Sequence, residues 1–176
     1  MRNRNIYLIG MMGTGKSTVG RMVASSMQMD FIDSDNEIER KTGKKINEIF
    51  KKDGEKRFRE LEEEFIRNGH PNENCLVSCG GGLCVIDGMI EKLKTMGIVI
   101  SLFANPSAIF ERVKSERHRP LLQVNDPVYE IKKINEERKD TYLKADLVIQ
   151  TDNLSPDEVT QRIIDAYSSA TNQAPG

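Results

Sequence analysis

The chain has 176 residues, 30% of them charged, and a formal net charge of −1. This length suits a single domain with a sizeable core, and the balanced charge gives no general attraction to nucleic acid or an anionic membrane. Apolar runs such as Ile98–Phe103 are strand-sized and too short to span a bilayer. Arg2 and Arg4 precede an apolar stretch that runs directly into a glycine loop, which signal cleavage would destroy. The reading is therefore a cytoplasmic protein without a targeting segment.

In chain order, Ile6–Ile9 reads as strand one. It leads into Gly10-Met11-Met12-Gly13-Thr14-Gly15-Lys16-Ser17, which fits the phosphate-binding pattern G-x-x-x-x-G-K-[ST] without mismatch. Glycines let the backbone curl so that amides point at one anion, and the following helix, read over 16–28, adds its positive end. Gly13, Thr14, Gly15, Lys16, Ser17 and Thr18 are thus candidate nucleotide contacts. Lys16 is suited to the β- and γ-phosphates, and the Ser17 hydroxyl to Mg²⁺.

Phe31-Ile32-Asp33 is a short second strand, followed by a helix near 35–42. Asp33 and Asp35 sit at its carboxyl end, beside the loop. One carboxylate can orient Mg²⁺ through a water and the other can accept a hydrogen bond from a substrate hydroxyl. Helix capping by these aspartates is the alternative reading, and for Ser34 or Asp35 capping is compatible with a catalytic role. Helices near 46–51 and 55–68 come next. Ile46, Ile49 and Phe50 form one apolar stripe, whose default meaning is core packing. Arg59 and Glu62 are three apart, so they can pair or share a ligand; a solvated surface arginine is the competing reading.

Cys75–Ser78 is strand three, and Gly80-Gly81-Gly82 follow it as either a ligand-approach loop or a tight turn. The strand ends in Ser78-Cys79 where many phosphate-loop proteins place a metal-holding aspartate. Cys75, Cys79 and Cys84 form no C-x-x-C. They read as small, half-buried side chains in a reduced compartment, not as a zinc site. A helix near 88–95 leads to strand four, Ile98–Phe103. Asn105-Pro106-Ser107 then caps a helix over 106–116.

The polar, proline-interrupted stretch around Arg117, His118, Arg119 and Pro120 has the composition of a lid spanning about 113–124, or of an ordinary basic loop. A helix over 127–143, strand five at Leu147–Ile149, and a helix over 156–169 capped by Ser155-Pro156 complete the pattern. Asp152 falls in a loop beyond strand five, and residues 171–176 read as a disordered tail. Strands separated by helix-length crossovers imply an α/β fold in three layers, with a five-stranded parallel sheet and ligands at the carboxyl ends of its strands.

Taken together and in order, these elements resemble the shikimate kinase family over residues 5 to about 168. The resemblance rests on the glycine loop, Asp33-Ser34-Asp35, Ile46…Phe50…Gly54-Glu55…Phe58-Arg59…Glu62, Gly80-Gly81-Gly82, Arg112…Arg119-Pro120-Leu121-Leu122 and Arg138…Tyr142…Ala145-Asp146. It implies transfer of the ATP γ-phosphoryl group to the 3-hydroxyl of shikimate with Mg²⁺, in aromatic amino-acid biosynthesis. By resemblance, Arg59 and Arg138 clamp the shikimate carboxylate, and Asp35 holds its hydroxyls and orients the nucleophile. Ser17 ligates Mg²⁺, which Asp33 positions through water.

The same resemblance has Gly80, Gly81 and Gly82 presenting amides to the substrate, with Ile46, Phe50 and Phe58 lining the apolar side of its ring. Lys16 and Arg119 stabilise the transferred group, while Arg112, Asn153 and Pro156 hold adenine. ATP and shikimate are the expected partners, with no nucleic acid and no membrane, and the enzyme is expected to be a monomer. Cys79 in place of a threonine, Lys139-Asp140-Thr141 in place of a proline-containing step, and Leu154 in place of a polar residue depart from the family pattern. The rival readings are a gluconate or nucleoside monophosphate kinase, and a silent nucleotide-binding relative.

Overall fold

A computed structural model of the protein describes residues 4–114 and 124–172. Five strands, β1 (Asn5–Ile9), β2 (Asp30–Asp33), β3 (Cys75–Ser78), β4 (Gly97–Phe103) and β5 (Leu147–Gln150), form one parallel sheet in the order β2-β3-β1-β4-β5. The helices are α1 (Lys16–Met27), α2 (Ser34–Thr42), α3 (Ile46–Asn68), α4 (Met89–Met96), α5 (Pro106–Val113), α6 (Pro127–Tyr142) and α7 (Pro156–Asn172). A short 3-10 turn, Leu83–Val85, has no counterpart in the sequence reading.

β1 is buried along its whole length between β3 and β4. Its side chains alternate between two cores, as the period of two in a strand requires. Tyr7 and Ile9 pack with Val77, Val99, Phe65, Leu93 and Ile131 on the side of α3, α4 and α6. Ile6 and Leu8 pack with Val19, Val23, Ile163 and Tyr167 on the side of α1 and α7. Apolar strands covered on both faces are what a parallel sheet with helical crossovers needs. Among the described residues, no helix is long and apolar enough to cross a membrane.

Several element boundaries differ from the sequence reading. The break expected between the helices at 46–51 and 55–68 is a kink inside α3, at Gly54 (φ 83°, ψ 167°). α2 begins at Ser34, and Asp33 is its cap, accepting the Asn36 amide at 3.3 Å, so of the two aspartates the capping role falls on Asp33 and not on Asp35. Asn105 occupies the cap position of α5 without a side-chain hydrogen bond; its own amide donates to Asp152 Oδ1 at 2.7 Å. α5 ends at Val113, a buried helical residue, so the expected lid does not begin there; residues 115–123 lie outside the described residues. α7 reaches Asn172, which moves the start of any tail past 171; residues 173–176 lie outside the described residues. The three cysteines are fully, not half, buried.

α7 packs with α1 on one face of the sheet. Ser155 and Glu158 form a reciprocal cap at its start. The Ser155 amide and hydroxyl both donate to Glu158 Oε2, and the Glu158 amide donates to Ser155 Oγ at 3.2 Å. Ser155→Ala is expected to lower stability by about 0.5–2 kcal/mol. Urea denaturation measures this, and an unchanged midpoint would refute the cap.

Candidate functional site

The carboxyl ends of β1, β2 and β3 place three loops side by side. The loop after β1 curls because Gly10 (φ 133°), Gly13 (φ 75°) and Gly15 (φ 99°) take backbone conformations that other residues rarely adopt. A Cβ at Gly10 would stand 2.2 Å from the Leu102 carbonyl oxygen, so the loop lies tight against β4. Gly15 caps α1 without a side chain, and the first turn of α1 holds no acidic residue. The helix therefore presents its amino terminus open, in the form that binds an anion. The Lys16 ammonium is buried on the Gly10 and Met11 carbonyls, at 2.8 and 2.9 Å. Burial holds its pKa below the ordinary value, against the opposing charge of Asp35.

The carboxylates after β2 divide their work. Asp33 Oδ2 accepts from the Ser17 hydroxyl at 2.9 Å, and Ser17 Oγ lies 3.3 Å from Ser78 Oγ at the end of β3. Asp35 turns inward. Its Oδ1 is buried without a hydrogen-bond partner, and burial, then the Asp33 charge, push its pKa up to about 6, opposed by Lys16 and Arg59.

The glycine turn after β3 is the meeting place of the remaining charges. A Cβ at Gly80 would stand 2.5 Å from Asp35 Oδ1 and 3.2 Å from Glu62 Oε1. One at Gly82 would stand 2.5 Å from Arg59 Nη1, and one at Gly81 3.9 Å from Arg138 Nη1. Arg138 donates to the Gly81 carbonyl at 2.9 Å, and the Tyr142 hydroxyl donates to the same oxygen at 3.2 Å. Arg59 donates to Glu62 at 2.6 Å and to Glu55 at 2.9 Å. It is therefore a largely buried, doubly paired guanidinium, not a solvated one. Burial disfavours its charge, but Glu62 and Glu55 outweigh that and hold its pKa above the usual value.

One cleft of about 1610 Å³ joins the first loop to this turn. A typical single-ligand pocket holds about 300–1,000 Å³, so there is room for two ligands side by side. Gly13, Thr14, Gly15, Lys16, Ser17, Thr18, Asp33, Asp35, Ile46, Phe50, Gly80, Gly81, Arg112 and Pro156 line it. Arg59, Gly82 and Arg138 are not part of that wall; the two arginines approach it at the glycine turn, Arg138 at Gly81 and Arg59 at Gly82. Phe58 is buried and backs Phe50, with ring centroids 4.7 Å apart, so it does not itself line the cleft. Asn153 is exposed and outside the wall, where Leu154 takes its place. Arg112 is already engaged, donating to Thr151 Oγ1 (3.0 Å), the Thr151 carbonyl (2.8 Å) and the Gly13 carbonyl (3.4 Å). Arg119, with Arg117 and His118, lies outside the described residues.

The expectation that all three glycines offer amides fails at Gly80, whose amide donates to Ser34 Oγ at 2.8 Å. Ser34 and Thr151 carry no signal in the sequence, because each acts on a loop distant in the chain. Ser78 was visible only as a missing aspartate. Glu62 was legible as a partner of Arg59 but not as a wholly buried carboxylate with one unpartnered oxygen.

The family model for shikimate kinase matches residues 12–168. A shikimate kinase of Thermodesulfovibrio yellowstonii is 44% identical over 169 residues, covering 96% of this chain and 98% of that protein. The solved structure of shikimate kinase from Acinetobacter baumannii in complex with shikimate superposes with a TM-score of 0.89 at 35% identity, covering 98% of this chain and 96% of that one. Shikimate kinase from Aquifex aeolicus superposes with a TM-score of 0.81 at 34% identity, covering 97% and 99%.

Ser34 is buried and its hydroxyl is the tether of the glycine turn. Ser34→Ala leaves the Gly80 amide unpaired, at an expected cost of about 1–3 kcal/mol. Denaturation reads the loss, and hydrogen exchange at the Gly80 amide is expected to accelerate. Unaltered exchange there would show that the tether does not hold the turn.

Proposed function

The chain belongs to the shikimate kinase family, and from that premise we propose how its own residues transfer the γ-phosphoryl group of ATP to the 3-hydroxyl of shikimate. The observation that supports this reading most is the convergence of Arg59 and Arg138 on one glycine turn that abuts the phosphate loop. The point where a Gly81 Cβ would stand is 3.6 Å from the Met12 amide nitrogen and 3.8 Å from the Gly10 carbonyl oxygen. A carboxylate held by the two guanidinium groups would therefore place the rest of a small ring beside the nucleotide's terminal phosphate. Guanidinium forks suit this role because they match a carboxylate with two parallel hydrogen bonds.

In this reading the open amino terminus of α1 and the loop amides hold the β- and γ-phosphates, and Lys16 transfers its ammonium from loop carbonyls to phosphate oxygens. Asp35 accepts a hydrogen bond from the attacking hydroxyl and aims it; a pKa of about 6 leaves it mostly ionised near neutral pH. Phe50 faces the apolar side of the acceptor ring, while Gly81 allows its close approach. Arg112, Leu154 and Pro156 form the nucleoside end of the cleft. Arg119 is assigned to the transferred phosphoryl group by resemblance alone.

Magnesium is the implied cofactor, and the oxygen-only set of Ser17, Asp33 and Ser78, already joined by hydrogen bonds, fits a hard divalent cation. Ser17 would ligate it and Asp33 would hold one of its waters. Once bound, it would neutralise charge on the β- and γ-phosphates. A cytoplasmic setting is part of the reading, and three free buried thiols suit its reducing conditions.

Coupled ADP release with shikimate, gluconate and nucleoside monophosphates as acceptors tests the assignment, and turnover dependent on shikimate alone is expected. Turnover with another acceptor, or nucleotide binding without turnover, would favour the rivals. Arg138→Lys removes one fork of the clamp and is expected to raise KM for shikimate roughly tenfold or more, with a smaller effect on kcat. Asp35→Asn is expected to lower kcat by about 10²–10⁴ with a smaller effect on KM. Steady-state kinetics separates the two patterns, and unchanged constants in both variants would remove the site assignment.

A further inference from the structure

Glu62 is a charged residue that touches no described surface and has no role in the transfer itself. Its side chain is 0% exposed on α3. One oxygen, Oε2, accepts from Arg59 at 2.6 Å, while the other, Oε1, is buried without a partner. Oε1 lies beside the Gly80 position that Asp35 Oδ1 also approaches, so two unpartnered acceptor oxygens face one small region. The groups around Glu62 are Arg59 on its own helix, Asp35 from α2, Arg138 from α6, and the Cys79 and Cys84 thiols at either end of the glycine turn. Arg59 is in turn shared with Glu55.

This arrangement has too many carboxylates for an additional acid. Before any acceptor arrives, Arg59 already serves Glu62 and Glu55, and Asp35 stands close by. An acceptor carboxylate drawn to Arg59 and Arg138 adds another negative charge and competes for the guanidinium that stabilises ionised Glu62. Both effects disfavour the charged form of a carboxyl group without water contact. A proton on Oε1 would also turn one of the two facing acceptors into a donor.

We propose that Glu62 takes up a proton from solvent when shikimate binds, so that acceptor affinity is linked to pH through this one residue. The inference rests on the placement of the acceptor acid at Arg59 and Arg138. Glu62 acts as a positioning residue. In its ionised form it fixes the Arg59 guanidinium in the unliganded site. In its neutral form it releases part of that guanidinium to the incoming carboxylate.

The sign follows from linkage. Burial, against the opposing Arg59 pair, pushes the Glu62 pKa up to about 7 in the unliganded protein. An added anion raises it further. Below the unliganded value Glu62 is already protonated and no uptake occurs; above the liganded value it is ionised in both states. Between the two, binding takes up a proton and affinity falls as pH rises, by at most about tenfold per pH unit.

Isothermal titration of shikimate into the protein, in phosphate and in Tris at about pH 7.5, reads proton uptake from the difference in heat. An uptake of about half a proton is expected in the native chain and close to none in Glu62→Gln. If the variant does not fold, the native chain titrated from about pH 6 to 9 is expected to show uptake that rises above neutrality and then declines. Buffer-independent heat in the native chain, or the same uptake in Glu62→Gln, overturns the inference while leaving acceptor binding intact. Absence of shikimate binding in both buffers removes the acceptor site, and this inference with it.

Discussion

Three residues without side chains, Gly80, Gly81 and Gly82, hold open the space in which four charged side chains approach one another. Arg59, Glu62, Asp35 and Arg138 come from three helices; the first three reach this turn within the distance that a single Cβ would crowd, and Arg138 meets it through the Gly81 carbonyl. An alanine at Gly80 or Gly82 would overlap a carboxylate or a guanidinium, not flexible apolar atoms. The turn is held from both sides. Ser34 fixes the Gly80 amide, while Arg138 and Tyr142 both donate to the Gly81 carbonyl. The position of the strand end β3, next to β1 at the centre of the sheet, sets the position of the glycine turn relative to the phosphate loop.

The same convergence explains why the charges are arranged in unequal groups. Asp33 and Ser17 form the more exposed side, with the Ser78 hydroxyl at their back. Asp35, two residues on, belongs to the drier side and lacks a partner for one oxygen. Two carboxylates only two residues apart thus differ in environment, one hydrogen-bonded at the end of β2 and the other on α2 with a buried, unpartnered oxygen. Lys16 connects the two sides, since its charge opposes the upward shift of Asp35 while its ammonium rests on loop carbonyls.

Local features were legible in the sequence, and features made by packing were not. The phosphate loop declares itself because its glycines, lysine and serine act within eight consecutive residues. The helix break at Gly54 is likewise local, as glycine tolerates a positive φ that ends helical geometry. Arg59 is a different case. In a helix as charged as α3, spacing alone cannot distinguish a solvated arginine from one packed against a glycine turn some twenty residues later. Resemblance gave Ile46, Phe50 and Phe58 as lining residues and Asn153 as a nucleoside contact, whereas the cleft wall holds Ile46, Phe50 and Leu154 but neither Phe58 nor Asn153. It also gave Gly80 a substrate-facing amide that Ser34 already holds. Sheet order was beyond reach as well, because helix-length crossovers fix the parallel direction of the strands but not which strand lies beside which.

The two halves of the cleft also share a mechanical connection that neither half's motif reveals. Gly10 presses on the Leu102 carbonyl of β4, and its own carbonyl accepts from Lys16 and faces Gly81. Arg112 ties the Gly13 carbonyl to Thr151, at the end of β5. The phosphate loop is thereby braced against the glycine turn after β3 on one side and against Thr151 on the other. The Gly10 carbonyl that holds Lys16 is also the one 3.8 Å from where a Gly81 Cβ would stand, and the Gly81 carbonyl in turn holds Arg138. Two neighbouring backbone carbonyls thus carry the buried ammonium and a guanidinium, so the two loops hold their charged partners through main-chain atoms.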